Sequence, residues 1–466
     1  FLMPMLVNAG ARIVTVRETD LNTELVVVDN DGAGYTETGP GFLDSTLMGW
    51  GNPPAVITGA TNPFTLGTNR LMNAAATATA SATYTATLPR DGEYNVYVSY
   101  SAFTARVTDA HYVVKHPGGE SHFRVNQRRA GATWVFLGRF WFRAGTPAQV
   151  QVLNDSASGT GNVSLDAVRF GGGMGRIDRG QGVSNRPRFE ESARYNAQFS
   201  GAPTTVYDYS DTDHNDDVGT RSRFAAWVHE PGEDAVYVAW HTNAFNGTAV
   251  GTDTYVYGPN PPDGTFQFTG VAGSDTLARR VQSELINDIR VGWNQPMWRD
   301  RGVHSAYFGE LNPSHNNEMP AILIEVAFHD NAGEAAHLKE PGFRYLAARA
   351  ISQGIIRFFA EKDGRPVVFP PEPPTHVAAL GQGGDQVLVR WRAPLADSSN
   401  VGGHAATGFR VYTSPDGLSW DDGVETQGSS FTDDAPGPRY YRIAATNAGG
   451  ESFPSATVAF KPGATR

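Results

Sequence analysis

One stretch constrains this chain more than any other. From Ala321 to Phe328 the sequence AILIEVAF is apolar at every position except Glu325, and it is bounded by Pro320 and by His329-Asp330-Asn331. A short apolar run without alternation reads as a strand covered on both faces, which belongs in an α/β domain. VYVAWHTNAF repeats the pattern, with Val236, Val238 and Trp240 leading to the polar residues His241 and Thr242. Between and after these runs lie two amphipathic helices. SDTLARRVQSELINDI carries Leu277, Val281 and Leu285 on one stripe, and FRYLAARAISQGIIRFFAEKDG carries Leu346, Ala350, Ile351, Ile355 and Phe358, stopping at Asp363-Gly364. Glu325 has apolar neighbours on both sides, so its carboxylate is either capped by backbone donors or kept for acid-base work, since burying it unpaired is expensive. His241 stands where α/β sheets present ligand sites, although a strand-end histidine can equally be a satisfied structural group.

The same texture opens the chain. Leu2, Met5 and Leu6 recur at helical spacing before the Ala9-Gly10 stop, and Ile13, Val14 and Val16 in ARIVTVRETD read as a buried strand. From Val26 the pattern changes to short alternating runs separated by Gly, Asn and Asp. In ATYTATLPRDGEYNVYVSY an Asp91-Gly92 turn precedes Tyr94, Val96 and Val98 on one face, and TWVFLGRFWF and NVSLDAVRF continue the series. Residues 26–172 are thus predicted to be a β-sandwich inserted into an α/β domain formed by 1–25 and 174–365, with Gly171-Gly172-Gly173 as the junction. A stiff Pro-rich linker (366–375, with PPEPP) follows. Short strands such as QVLVRW, GFRVYTS and RYYRIAATN then predict a second, smaller sandwich over 376–462. The expected fold class is multi-domain, α/β plus all-β, and 466 residues leave room for about three domains.

Composition removes several functions. The 37 basic and 48 acidic residues give a net charge of −11, which disfavours a sequence-blind grip on nucleic acid or anionic lipid. Cysteine is absent, so thiolate nucleophiles and zinc-thiolate sites are excluded. No apolar run reaches the roughly 18 residues a membrane helix needs. A metal site, if there is one, must use His and carboxylate ligands. His241 and Glu325 together make a start on a hydrolytic centre, an imidazole for a zinc ion and a carboxylate to take a proton from water.

In order along the chain, GARIVTVRETD, VYVAWHTNAFNG, GTDTYVYG, the helix at 274–289, DRGVHSAYFGEL, MPAILIEVAFHDN and the closing helix resemble the zinc-dependent N-acetylmuramoyl-L-alanine amidases of the Amidase_3 family. That resemblance implies hydrolysis of the amide joining the peptide stem to the sugar in peptidoglycan. It also implies Zn²⁺ as cofactor, His241 as a zinc ligand, Glu325 as the catalytic carboxylate, and a bacterial protein that is secreted or held in the periplasm or cell envelope. The family's other two ligands, a His and a Glu, lie upstream of the strand read at Ile13 to Val16 and are expected before Phe1, so that Phe1 falls inside the catalytic domain. His214 and His315 are conceivable substitutes in positions the family does not use. Asp211, Asp213 and Asn215 resemble the start of a calcium loop, but Asp216 stands where the glycine is needed and a solvated acidic turn is the simpler reading. VVVDNDGAGYTETG, LPRDGEYNVYVSY, DAHYVVKH, VNQRRAGATWVFLGRFWFRAG and SLDAVRF are similar to golvesin C-terminal-like, or Xly-type, accessory domains of polysaccharide- and wall-active enzymes, for which carbohydrate binding is a hypothesis; at most one of Trp50, Trp134 and Trp141 is expected to serve a sugar as an exposed apolar platform, and core packing is the first expectation for each. The tail, with Trp391, Tyr441 and Asn447, resembles fibronectin type III. The competing expectation is a non-catalytic wall-binding protein on a truncated or degenerate amidase scaffold.

Overall fold

The computed structural model describes residues 1–396 and 401–462. Two compact units emerge. Phe1–Val14, Gly232–Thr413 and the residues from Gly423 onward make one; Thr15–Pro231 with Ser414–Asp422 makes the other.

The first unit is built on a four-stranded sheet in the order Tyr237–Asn243, Ala321–Phe328, Thr252–Tyr257, Asp300–Ala306. It is mixed. Ala321–Phe328 runs parallel to Tyr237–Asn243 and antiparallel to Thr252–Tyr257, which is itself parallel to Asp300–Ala306. Alternation along the strands sends Val256, Ile322, Ile324 and Val326 to one face. There the helices Ser274–Asn287 and Pro341–Lys362 cover them with Leu277, Val281, Leu285, Phe343, Ile351 and Ile355. The two helices approach so closely that a Cβ on Gly354 would stand 2.7 Å from the Val281 backbone. On the other face Ala239, Ala321 and Leu323 pack with Tyr237, Tyr255, Tyr257 and Leu311.

The predicted N-terminal helix forms as Leu2–Asn8, with Leu2 and Leu6 against the core shared with Pro341–Lys362, and Gly10 leaves it at φ +91°. The strand predicted over Ile13 to Val16 does not form; residues 11–25 contain no strand. A strand needs a neighbour to take its backbone hydrogen bonds. Val14 is instead 46% exposed, and the chain passes between the units at Val14–Thr15. Beyond that point the acidic side chains of RETD serve the second unit. Glu18 pairs with Arg169 at 2.7 Å, and Asp20 accepts the Asn95 N–H at 2.6 Å.

In the second unit a four-stranded sheet (Val26–Asp29, Ala167–Phe170, Gly92–Val98, Val135–Phe142) and a five-stranded one (Tyr35–Thr38, Ser81–Thr87, Pro147–Leu153, Ala110–His116, Gly119–Val125) enclose a shared core. Its aromatic and β-branched residues include Tyr84, Tyr94, Val96, Tyr112, Val150 and Phe170. Val26 pairs with Phe170, so the sandwich begins and ends on adjacent antiparallel strands. The unit continues past the triple glycine through helices Ala193–Phe199, Thr204–Tyr207 and Asp213–Val228, whose Ala197, Val206, Tyr207 and Phe224 form a small core with Val16. The predicted acidic turn at 211–216 is the start of the last of these helices. The Thr212 hydroxyl caps it by accepting the Asn215 N–H, and buried Asp216 accepts the N–H groups of Tyr209 and Ser210 and pairs with Arg194. Trp50 is 4% exposed and packs with Phe64 and Ala167, which is the core packing expected of it.

The tail forms two sheets, Thr375–Gly383, Gln386–Arg392, Ser430–Asp434 and Val424–Thr426, Gly408–Ser414, Arg439–Asn447, Gly450–Glu451, around Val387, Val389, Trp391, Val411, Tyr441 and Ile443. The Pro-rich segment is docked against the long helix. Glu372 pairs with Arg349 at 2.9 Å, and Phe369 is buried under Arg357.

Candidate active site

His241 and Glu325 are neighbours. They are register partners on adjacent parallel strands, and Asp253 is the register partner of Glu325 on its other side. Because partners in register present their side chains on the same face, three titratable groups stand side by side across the sheet, on the face opposite the two helices.

Glu325 lies between buried Ile324 and Val326, and its Oε2 is buried without a hydrogen-bond partner. Burial pushes its pKa up to about 7; His241 opposes the shift, and Asp253 and Glu310 add to it. The group therefore changes charge near neutrality. That is the condition for taking a proton in one step and returning it in another.

His241, about one-third exposed, brings Nε2 to 3.2 Å from Oε1 of Glu310, a carboxylate on the short helical turn Gly309–Leu311. The other oxygen of Glu310 accepts the Tyr237 hydroxyl at 2.8 Å. With Nε2–H donating to Glu310, the lone pair of a neutral ring lies on Nδ1. Asp253 is fully buried. Its Oδ2 accepts from Arg301 Nε at 2.7 Å and from the Tyr255 hydroxyl at 3.3 Å, while Oδ1 has no partner. Beyond the strand ends, Glu334 accepts the N–H groups of Gly251 at 2.6 Å and Phe328 at 2.7 Å, and Asp330 accepts that of Gly247 at 2.8 Å, so two carboxylates brace the rim loops.

The other histidines named from the sequence do not join this group. His315 is bonded through Nδ1 to the Gly309 carbonyl at 2.8 Å. His214 lies exposed on the first turn of helix Asp213–Val228, in the second unit. Among the described residues no three His, Asp or Glu side chains are arranged to hold a metal ion. Nε2 of His241 is already directed to Glu310, so the residues described do not fit a three-ligand zinc site.

Glu310, Asp253, Arg301 and Tyr255 were not singled out from the sequence. The signal that marked Glu325 was nevertheless there for two of them. Glu310 is a carboxylate between Gly309 and Leu311 in FGEL, and Asp253 interrupts the β-branched and aromatic run TDTYVY.

Residues 196–357 match the Amidase_3 family model, N-acetylmuramoyl-L-alanine amidase, and residues 58–172 match the Golvesin C-terminal domain. An uncharacterized cell wall amidase of Bacillus anthracis is 33% identical over 148 residues, which is 32% of this chain and 24% of that protein. The xanthan lyase of Bacillus sp. (strain GL1) is 34% identical over 148 residues, 31% of this chain and 14% of that one. The N-acetylmuramoyl-L-alanine amidase LytC of Bacillus subtilis (strain 168) is 31% identical over 125 residues, 27% of this chain and 21% of that one. The chain thus spans between about a seventh and a quarter of the length of these relatives.

Proposed function

We propose that this protein is a cell-envelope amidase whose first unit hydrolyses the amide between N-acetylmuramic acid and L-alanine in peptidoglycan, with Glu325 as the proton-transferring group. The observation that carries the reading is the setting of Glu325: it stands in register between His241 and Asp253 with Oε2 buried and unpartnered, and burial raises its pKa to about 7. The amidase match over 196–357, which includes both Glu325 and His241, and the names of the similar proteins supply the substrate class. Among the described residues no helix is long and apolar enough to cross a membrane.

In this reading Glu325 takes the proton from a water that adds to the amide carbonyl and then gives it to the departing amine of L-alanine. Asp253, whose Oδ2 accepts from Arg301, stands beside Glu325 and favours its protonated form before the second transfer. Glu310 fixes the imidazole of His241 by its contact to Nε2. His241 carries the family's zinc-ligand role only by resemblance, and no step above passes through a metal.

The test is digestion of purified sacculi followed by mass spectrometry of the soluble fraction. Release of intact peptide stems beginning at L-Ala is expected. Glu325→Gln is expected to lower the rate by about 10² to 10⁴-fold, the usual contribution of a general acid-base group. Products cut within the stem or the glycan, or an unchanged rate in the variant, would overturn the reading. One observation favours a second reading, a wall-binding protein without hydrolysis: the described residues hold no three-group metal site. Retention on sacculi without release of stems is its signature.

A further inference from the structure

Two histidines that the proposed hydrolysis does not use meet on the outer face of the five-stranded sheet in the second unit. In the antiparallel pair Ala110–His116 and Gly119–Val125, His111 is the register partner of Arg124, and Val113 that of His122. Ala110, Tyr112 and Val114 turn into the sandwich core, so alternation sends His111 and His122 to the opposite face as diagonal neighbours. There Nε2 of His111 stands 2.9 Å from Nδ1 of His122. The other nitrogen of His111, Nδ1, lies 2.8 Å from Oδ1 of Asp155, just beyond the strand Pro147–Leu153.

The bonds around the pair fix where its lone electrons lie. Burial would raise the pKa of Asp155, but its bonds to His111 and Arg124 outweigh burial and hold it below the ordinary carboxylate value. An ionised carboxylate only accepts, so Nδ1–H of His111 is the donor and Nε2 carries the lone pair. That lone pair is aimed at His122. The ring of His111, 12% exposed, is well anchored, because Asp155 is itself gripped by Arg124, whose guanidinium also donates to the carbonyls of Asp109 and Asp155 at 3.2 and 2.9 Å. His122 is exposed, so its ring has room to turn. Asp109 lies close enough to Asp155 for their charges to repel. Two carboxylates thus stand against one guanidinium, and the surroundings favour a cation.

These features select the ion. A ring whose one nitrogen is fixed by a carboxylate while the other presents a lone pair is how metal-ligating histidines are oriented. Imidazole pairs suit transition metals, whereas calcium and magnesium take oxygen ligands. Spacing narrows the choice further. Two nitrogens each about 2.0–2.1 Å from a metal lie about 2.9 Å apart when cis in a square-planar or octahedral set, and about 3.3–3.4 Å apart in a tetrahedral one. The pair is at 2.9 Å. The ring centroids are 5.2 Å apart, so the rings meet end to end. An ion sits to one side of that line, and the exposed ring of His122 tilts to reach it, its proton passing to the outward Nε2 with none lost. We propose that His111 Nε2 and His122 Nδ1 chelate a divalent copper-type ion, with Asp155 as the positioning residue for His111. Among the described residues no three His, Asp or Glu side chains are arranged to hold a metal ion, so the pair supplies two ligands and water the rest. The inference stands on the second unit alone and does not depend on the amidase reading.

The experiment is calorimetric titration of the whole chain, carrying His241→Ala so that the imidazole of the first unit plays no part, with copper(II) as the probe and electron paramagnetic resonance as a second readout. One saturable equivalent with two-nitrogen coordination is expected. His122→Ala, a change at an exposed position, should abolish it. Asp155→Asn should weaken it about 10- to 100-fold, the usual effect of removing the group that orients a ligating imidazole, while the two-nitrogen signature persists. Absence of a saturable equivalent, its survival in His122→Ala, or full-strength binding in Asp155→Asn overturns the proposal. So does a site that takes calcium in an Asp155-dependent manner while ignoring copper. Failure here leaves stem release from sacculi intact, and loss of stem release leaves this binding intact.

Discussion

Glu18, in the sandwich unit, and Glu325, on the central strand Ala321–Phe328 of the mixed sheet, are both glutamates withdrawn from water, yet they are driven in opposite directions. Burial alone would raise both. At Glu18 that tendency is outweighed by Arg169 at 2.7 Å, Arg188 at 3.7 Å, the Tyr97 hydroxyl at 2.6 Å and the N–H of Asp20, and the pKa falls to about 2. Arg169 in turn stacks 3.7 Å from the centre of the Tyr97 ring, and Arg188 lies 3.4 Å from that of Phe199. Glu325 faces one imidazole and two further carboxylates, and its pKa rises to about 7. The lesson is that a carboxylate in an apolar setting is not in itself a sign of catalysis. What decides is whether cations and donors saturate its oxygens, as at Glu18, or leave one open, as at Glu325.

The comparison breaks most readily from the Glu18 side. Arg169→Met leaves a buried carboxylate with its nearer cation gone, and removing one partner of a buried pair costs about 3–5 kcal/mol. The thermal transition of the sandwich unit is therefore expected to fall steeply, whereas the same scan on Glu325→Gln shows no loss. Equal effects of the two changes would remove the distinction. Acid sharpens it. Because the folded pKa of Glu18 lies below its ordinary value of 4.5, its contribution is complete above pH 4.5 and is lost as pH falls toward 2. Glu325 has the reverse sign: its folded pKa lies above 4.5, so the charged form begins to oppose folding as pH rises past 4.5, and the opposition is complete above about 7. Glu325→Gln should thus stabilise the first unit at pH 8 and not at pH 4. A shift of this size is worth roughly 3 kcal/mol for a fully buried group, and partial solvent access leaves about 1 kcal/mol. Denaturant melts at the two pH values check it, and stabilisation that is the same at both would show that Glu325 is not charged in the folded protein at pH 8.

The sequence told more about Glu325 than about its surroundings, and the reason is physical. Apolar runs and the 3.6-residue stripes of Leu277, Val281 and Leu285 are local, so the two buried strands and the two helices that cover them were legible, as was the placement of His241 near the end of one strand and of Glu325 within the other. Register is not local. That Asp253 and Glu325 are opposed across an antiparallel pair, or that Glu310 reaches His241 from a turn 69 residues away, follows from how strands of a mixed sheet associate. Arg169 and Glu18 are separated by 151 residues for the same reason. The strand expected at Ile13 to Val16 had the right local pattern and no neighbour to pair with, and the acidic segment at 211–216 looked like a solvated turn because Arg194, which pairs with Asp216 at 2.9 Å, was invisible from within it.

The smallest expected effect concerns metal. A structural or catalytic zinc site stabilises a fold by the free energy of its binding, and its removal is felt directly in the melting temperature. Here the imidazole of His241 is turned to Glu310, Oε2 of Glu325 has no partner, and among the described residues no three His, Asp or Glu side chains are arranged to hold a metal ion. A chelator added to this 466-residue chain should leave the melting temperature of the first unit within about 1 °C of its value in added zinc, because a site with few ligands binds too weakly to shift the equilibrium. A rise of several degrees on adding stoichiometric zinc, abolished by His241→Ala, would mean that the side chains around Glu325 rearrange to enclose a metal. The contrast with Glu18 would then widen: one buried glutamate is neutralised permanently by two arginines, and the other by an ion that can leave.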